Sequence, residues 1–230
     1  MSWFTKTFTS TIGRKIVMSL TGLFLCSFLV VHLIGNLQLF NDDGGKAFNI
    51  YSQFMGHNMV IRALEIVLLL GFVFHIWDAV ALTRRNKSAR SVKYAVNRLE
   101  ENSNWSSRNM GLLGTVILVF LLIHLYSFFL PTKTGALDQV VIDGEMVDDL
   151  YSHVVLAFQN PIYVLLYVIS MIALAYHLIH GFQSAFQTLG LNHKKYSPAI
   201  RSFGYIFSIL VCVGFASMPV YFFSVYFFSK

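Results

Sequence analysis

Five of the eight histidines, His32, His75, His124, His177 and His180, stand inside long apolar runs. Imidazole in such a setting has three chemistries open to it. It can hydrogen-bond a neighbouring helix, relay protons through a membrane, or coordinate a metal through a neutral ring nitrogen. A lone intramembrane histidine is explained by the first of these. A set that recurs from helix to helix at matched depths needs one of the others. His57, His153 and His193 fall in or near loops, where surface residence is expected.

The elements that must position the set are membrane helices. The chain has 230 residues, 56% of them hydrophobic and only 12% charged, against about 25% charged in soluble domains. Five runs are long enough to cross a hydrocarbon core of about 30 Å at about 1.5 Å per residue. They cover approximately Ile16–Leu39, Val60–Leu82, Met110–Leu130, Ile162–Phe186 and Phe203–Phe228. An all-α, five-span membrane domain is predicted, its first four helices forming a bundle. Pro219 should bend the fifth helix without ending it, because neighbours in a bundle can satisfy the freed carbonyl.

The net charge of +6 does not point to nucleic acid, since the basic residues flank apolar spans instead of clustering on one soluble face. Arg84, Arg85, Lys87, Arg90, Lys93, Arg98 and Arg108 lie in one connection. Lys6, Arg14 and Lys15 precede the first span, and Lys194, Lys195 and Arg201 join the last two. The opposite side carries Asp42, Asp43, Asp138, Asp143, Glu145, Asp148 and Asp149. The positive-inside rule then puts the N-terminus inside and the C-terminus outside. The leading "MSWFTKTFTSTIGRK" lacks the pattern of a cleaved signal and reads as a retained amphipathic lead-in. The basic connection is expected to contact anionic lipid or a soluble partner. On the other side, a short surface helix is expected near Asp148–Phe158, and "YFFSVYFFSK" reads as an interfacial aromatic belt. Cys26 and Cys212 sit in apolar runs without a CxxC pair, which excludes a zinc site, and the absence of CxxCH excludes c-type haem attachment.

Depth sorts the histidines. His32 lies 17 residues past Lys15 and His124 lies 16 past Arg108, each about 25 Å above the inner boundary. His75 lies nine residues before Arg84, about 13 Å up, and His177 sits at roughly 15 Å. Four helices thus offer one histidine each at two levels about 10 Å apart. Two imidazoles at equal depth on facing helices suit the axial positions of one haem iron, and bundle cores host such cofactors. Two bis-histidine haems are predicted, one held by His32 and His124, the other by His75 and His177. Small residues one turn from a ligand, Gly35, Gly71, Ala79 and Gly181, would leave room for a porphyrin; His124 instead has Phe128. His180 is three residues past His177, and depth does not separate the two. Gly181 favours His177, leaving His180 to hydrogen-bond a haem propionate.

With "HLIGN" at His32, "FHIWDA" at His75, "LLIHLYS" at His124 and "YHLIHG" at His177, essentially the whole chain resembles the dihaem cytochrome b anchor of succinate:quinone oxidoreductases, the succinate dehydrogenase and fumarate reductase family. The resemblance implies His177 as the fourth ligand, with His75–His177 on the haem near the soluble subunits and His32–His124 on the distal haem. It implies a multi-pass subunit of a bacterial inner membrane, anchoring a flavoprotein and an iron–sulfur protein on the inner face. Such a subunit transfers electrons through two haem b groups to or from menaquinone or another quinone. Succinate chemistry would belong to the flavoprotein, and a dimer of the whole complex is compatible with the layout. Some relatives carry a glutamate two residues before the fourth-span ligand for transmembrane proton transfer. Here Ala175 stands there, so the resemblance does not extend to that route.

Glu65 and Arg62 lie at the outer end of the second span, where charge is costly. Arg62 is expected to snorkel to the interface, and Glu65 is the candidate proton group of a distal quinone site. Asp78 is expected to face the inner boundary or a partner subunit. Two other functions compete: a transporter using the histidines as a proton relay, and a cytochrome b of another quinol-linked complex. Transporters of that kind often show helices broken near the midplane, and the first four predicted spans contain no internal proline.

Overall fold

Each apolar run forms a helix long enough to cross a membrane, giving five spans: Thr11–Phe40, Met59–Ser88, Met110–Thr134, Pro161–Thr188 and Ser197–Phe228. The computed structural model describes residues 10–88 and 103–229. The leading segment 1–9 and residues 89–102 of the basic connection, with Lys6, Arg90, Lys93 and Arg98, lie outside the described residues. Of the lead-in, residues 1–15, only the end is therefore described, with residues 11–15 opening the first helix, and most of the connection expected to contact lipid or a subunit lies outside the described residues.

In chain order the elements are α1 (Thr11–Asn36) with a 3-10 turn (Leu37–Phe40), α2 (Lys46–His57), α3 (Met59–Ser88) and α4 (Trp105–Arg108). Next come α5 (Met110–His124) with a π-turn (Leu125–Phe129), α6 (Leu130–Thr134), β1 (Gln139–Ile142), β2 (Glu145–Asp148), α7 (Leu150–Ala157), α8 (Pro161–Thr188) and α9 (Ser197–Phe228). Ser10 caps α1 by accepting from the Gly13 amide, and Asn160 caps α8 by accepting from Ile162 and Tyr163, just ahead of Pro161. Proline suits that first position because its missing N–H would be unpaired there anyway. The helix α3 runs past its apolar stretch through Arg84, Arg85 and Lys87, since these are good helix formers once the chain leaves hydrocarbon.

The fourth span is central. It packs against α1, α5 and α9, while α1 also packs on α3 and α9. Its buried residues Val164, Tyr167, Met171 and Leu178 cluster with Met218, Phe222 and Cys212 of the fifth span, and Phe182 packs on Phe203 and Phe207. Outward residues such as Leu64, Leu69, Leu165 and Leu210 are exposed, as lipid-facing positions must be. The fifth helix is continuous through the buried Pro219. Both cysteines are free thiols.

The end of the bundle away from Ser10 carries a cap built by α2, the hairpin and α7. The α7 helix matches the expected surface helix; α2 and the hairpin were not expected. The strands pair antiparallel around Asp143–Gly144, both with positive φ (52° and 89°). A two-residue Asp-Gly loop supplies that geometry and fits the twist of the flanking strands. Asn49 of α2, only 2% exposed, locks the cap together. Its Nδ2 donates to Asp149 Oδ1 at 2.9 Å, and its Oδ1 accepts from the Tyr151 amide at 2.8 Å. Gly45, at φ 86°, lies so close to the Tyr151 ring that a Cβ would overlap it.

Two residues read as surface features are tied into this end. Pro131 has no N–H to give the Ser127 carbonyl four residues back, and the helix passes through its π-turn just there. His153 Nε2 donates to that carbonyl at 2.9 Å, with its ring edge-on to Phe128. Instead of resting on the surface, His153 satisfies a backbone acceptor that proline leaves open. The terminal aromatic run also divides. Phe222 is buried against Tyr151 and Phe40, whereas Phe227 and Phe228 are exposed.

Candidate functional site: two histidine pairs

The four helices bring the predicted histidines together in the predicted pairs. His32 on α1 and His124 on α5 have ring centroids 5.8 Å apart with planes at 85°. His75 on α3 and His177 on α8 have centroids 6.2 Å apart at 65°. Two axial imidazoles on one metal ion stand roughly 6 Å apart between ring centres, given metal–nitrogen bonds of about 2 Å and about 1 Å from nitrogen to ring centre. Both pairs match that spacing.

The pairs are stacked along the bundle. Thr21, whose hydroxyl touches His75, lies eleven residues before His32 on α1, about 16 Å along the axis. Tyr167, whose hydroxyl touches His124, lies ten residues before His177 on α8, about 15 Å. The two helices agree, and the levels are farther apart than the 10 Å read from flanking charges. That reading assumed the charges bounding each span share one plane, and the spans instead extend unequally beyond their apolar runs.

Aromatic rings wall the pair nearer the hairpin. Phe28 stacks on His32 at 5.1 Å and Phe215 lies at 5.5 Å, while Phe120 and Phe128 flank His124 at 5.7 and 5.6 Å. Phe128, which took the place of a small residue in the sequence pattern, is therefore a wall of this pair. The pair nearer Ser10 has a polar neighbour in Thr21 and a small one in Gly22, where a Cβ would stand 3.4 Å from His75 Cε1.

The Nδ1 atoms are largely engaged by polar groups. His75 Nδ1 is 3.2 Å from Thr21 Oγ1 and His124 Nδ1 is 3.1 Å from Tyr167 Oη, which in turn is 3.4 Å from Tyr163 Oη. Asn36 Nδ2 approaches His32 Nδ1 only at 3.4 Å, its better bond going to the His32 carbonyl at 2.7 Å. His177 Nδ1 is buried without a hydrogen-bond partner among the described residues. Sequence reasoning missed Thr21 and Tyr167; their signal is helical phase, since ten or eleven residues return to nearly the same face after three turns.

These residues fit a haem better than a bare ion. Among the described residues no three His, Cys, Asp or Glu side chains gather at one point, while zinc takes three or four protein ligands. Two imidazoles complete an iron whose other four ligands come from a macrocycle. Gly181, one turn from His177, meets no atom within 4 Å of where a Cβ would stand. Gly35 does not serve that purpose, because the Tyr51 ring packs directly on it, and Gly71 faces the Phe24 ring at 3.1 Å. Those two glycines serve helix and cap packing. His180 is half-buried on α8, three residues beyond His177.

The charged residues also find partners. Glu65 Oε2 is 2.7 Å from Lys133 Nζ at the hairpin end, with side chains 34% and 27% exposed, and Lys133 lies over the Phe129 ring. Arg62 is exposed, consistent with snorkelling. Asp78 is buried, contrary to expectation. It pairs with Arg14 Nη1 at 2.7 Å, joining α3 to α1.

The chain matches no family model, no curated protein and no solved structure.

Proposed function

We propose that this chain is the membrane anchor and electron-transfer subunit of a succinate:quinone oxidoreductase, with two haem b groups held by His32–His124 and His75–His177. The observation that carries the reading is the coincidence of two histidine pairs, with ring centroids 5.8 and 6.2 Å apart, on four different helices. A proton relay needs a chain of polar groups from pair to pair, whereas the polar neighbours of the His32–His124 pair, Tyr167 with Tyr163 and Asn36, lead along their helices away from His177 and Thr21. When bound, the two haems supply one-electron transfer between an iron–sulfur subunit and a membrane quinone.

The protein's own part is to bind and orient. Each histidine offers a neutral nitrogen from a rigid helix, and the phenylalanine walls around His32 and His124 exclude water. The basic residues Arg84, Arg85 and Lys87 at the Ser10 end of α3, with Lys194 and Lys195 beyond α8, support reading that end as the inner face. There the flavoprotein and iron–sulfur subunits would dock in a bacterial inner membrane. Glu65 at the opposite end, paired with Lys133, would exchange protons with a quinone. Replacing Glu65 by Gln should slow quinol turnover and flatten its pH dependence with haem content unchanged; unaltered turnover and pH profile would remove Glu65 from the site.

The test of the reading is a haem assay on the purified chain. Two non-covalent b haems per polypeptide, with flavin and iron–sulfur subunits co-purifying, are expected. Haem-free protein would end the proposal, and two haems without those subunits would assign the chain to another quinol-linked complex.

A further inference from the structure

We infer that Thr21 fixes which nitrogen of His75 ligates iron, and thereby sets the potential of the haem at the Ser10 end apart from that of its neighbour; this rests on the haem reading above. The reason is a proton count. A threonine hydroxyl has one proton to donate. Thr21 Oγ1 lies 2.8 Å from the Val17 carbonyl and 3.1 Å from the Met18 carbonyl, so that proton is committed to the preceding turn of α1. The same oxygen is 3.2 Å from His75 Nδ1. With its proton spent it can only accept, and the donor is the Nδ1–H of His75. A neutral imidazole protonated at Nδ1 keeps its lone pair on Nε2, which is therefore the ligating nitrogen.

The contact is built from both sides. Gly22 lies beside the ring, a Cβ there standing at ordinary contact distance, 3.4 Å, from His75 Cε1. On the other side of the pair, His177 Nδ1 has no hydrogen-bond partner among the described residues. Among the described residues, the pair at the Ser10 end is therefore tuned through His75 alone. Donation from a ligand's second nitrogen fixes its tautomer and raises its basicity. A more basic axial ligand favours ferric over ferrous iron and lowers the potential. At the other pair the neighbour of His124 is a phenol, Tyr167 Oη at 3.1 Å, itself within reach of Tyr163. The two pairs thus have different hydrogen-bonding neighbours, a hydroxyl whose proton is committed at His75 and a phenol at His124.

An equilibrium redox titration of the purified holoprotein, followed by haem absorbance and separated into its two components, tests this. In Thr21→Val, which keeps the shape but not the oxygen, the component missing from His75→Ala should move to a more positive potential while the other stays. Thr21→Ser should restore the parent value, because a serine hydroxyl makes the same two bonds. If Thr21→Val instead loses that haem, retention in Thr21→Ser supports the same role. Unchanged potentials in Thr21→Val at full haem content would overturn the inference, as would loss of the haem from both variants. A parent protein without haem would sink the reading beneath it, a result distinct from either.

Discussion

Replacing Asp78 by Leu is expected to destabilise the bundle by about 3 kcal/mol, the lower end of the range for stranding one partner of a buried ion pair. Arg14 and Asp78 meet at 2.7 Å with side chains 17% and 8% exposed. Arg14 Nε is already buried without a partner among the described residues, so losing the carboxylate would leave the guanidinium with even less compensation. The residual exposure of Arg14 lets some water return, which is why the lower end applies. Arg14→Met should cost a similar amount by orphaning Asp78. The double variant Arg14→Met with Asp78→Leu should come within about 1 kcal/mol of the parent, because apolar replacement of a whole buried pair removes its desolvation cost as well. Reversible unfolding in mixed micelles of rising denaturing-detergent fraction, followed by circular dichroism, supplies the four free energies. Single costs that simply add in the double variant would refute the claim that these groups act as a buried pair.

Two further outcomes concern the hairpin end. Burial works against the charge of Asp149, but hydrogen bonds from Ser152 and Asn49 outweigh it and hold its carboxyl below the usual aspartate value. A depressed folded value means the charge contributes fully above the unfolded aspartate value and is lost as pH falls through the folded one. Amide exchange of residues 46–57 and 150–157, corrected for intrinsic rate, should therefore accelerate on acidification below about pH 4, and Asp149→Asn should show little of that dependence. His153→Ala should cost about 1–3 kcal/mol by leaving the Ser127 carbonyl unpaired. His153→Gln, which keeps a donor, should recover part of it in the same unfolding measurement.

The spans and the pairing of histidines could be read from the chain because both follow from one-dimensional rules. Apolar length gives the helices, and helical rise gives the depth of His32, His75, His124 and His177. Side-chain contacts across helices obey no such rule. The partner of Asp78 is Arg14, 64 positions away, and that of Glu65 is Lys133, 68 away; nothing local announces either. Gly35 follows His32 as a space-making residue would, yet its space is filled by Tyr51, a residue on a cap helix that apolar length does not reveal. The hairpin did carry a local signal, since Asp143–Gly144 sits between the short apolar runs 140–142 and 146–147, but in so apolar a chain its short strands stand out little. His153 was legible only through Pro131, whose missing N–H predicts that some donor must come to Ser127.

The central claim is that four histidines form two independent iron sites in fixed pairs, and low-temperature absorption spectra of the reduced single variants test it directly. His32→Ala and His124→Ala should each abolish the same one of two haem components, His75→Ala and His177→Ala should each abolish the other, and His180→Ala should retain both. Loss of different components within either pair, or two full haems in any of the first four variants, would contradict the account.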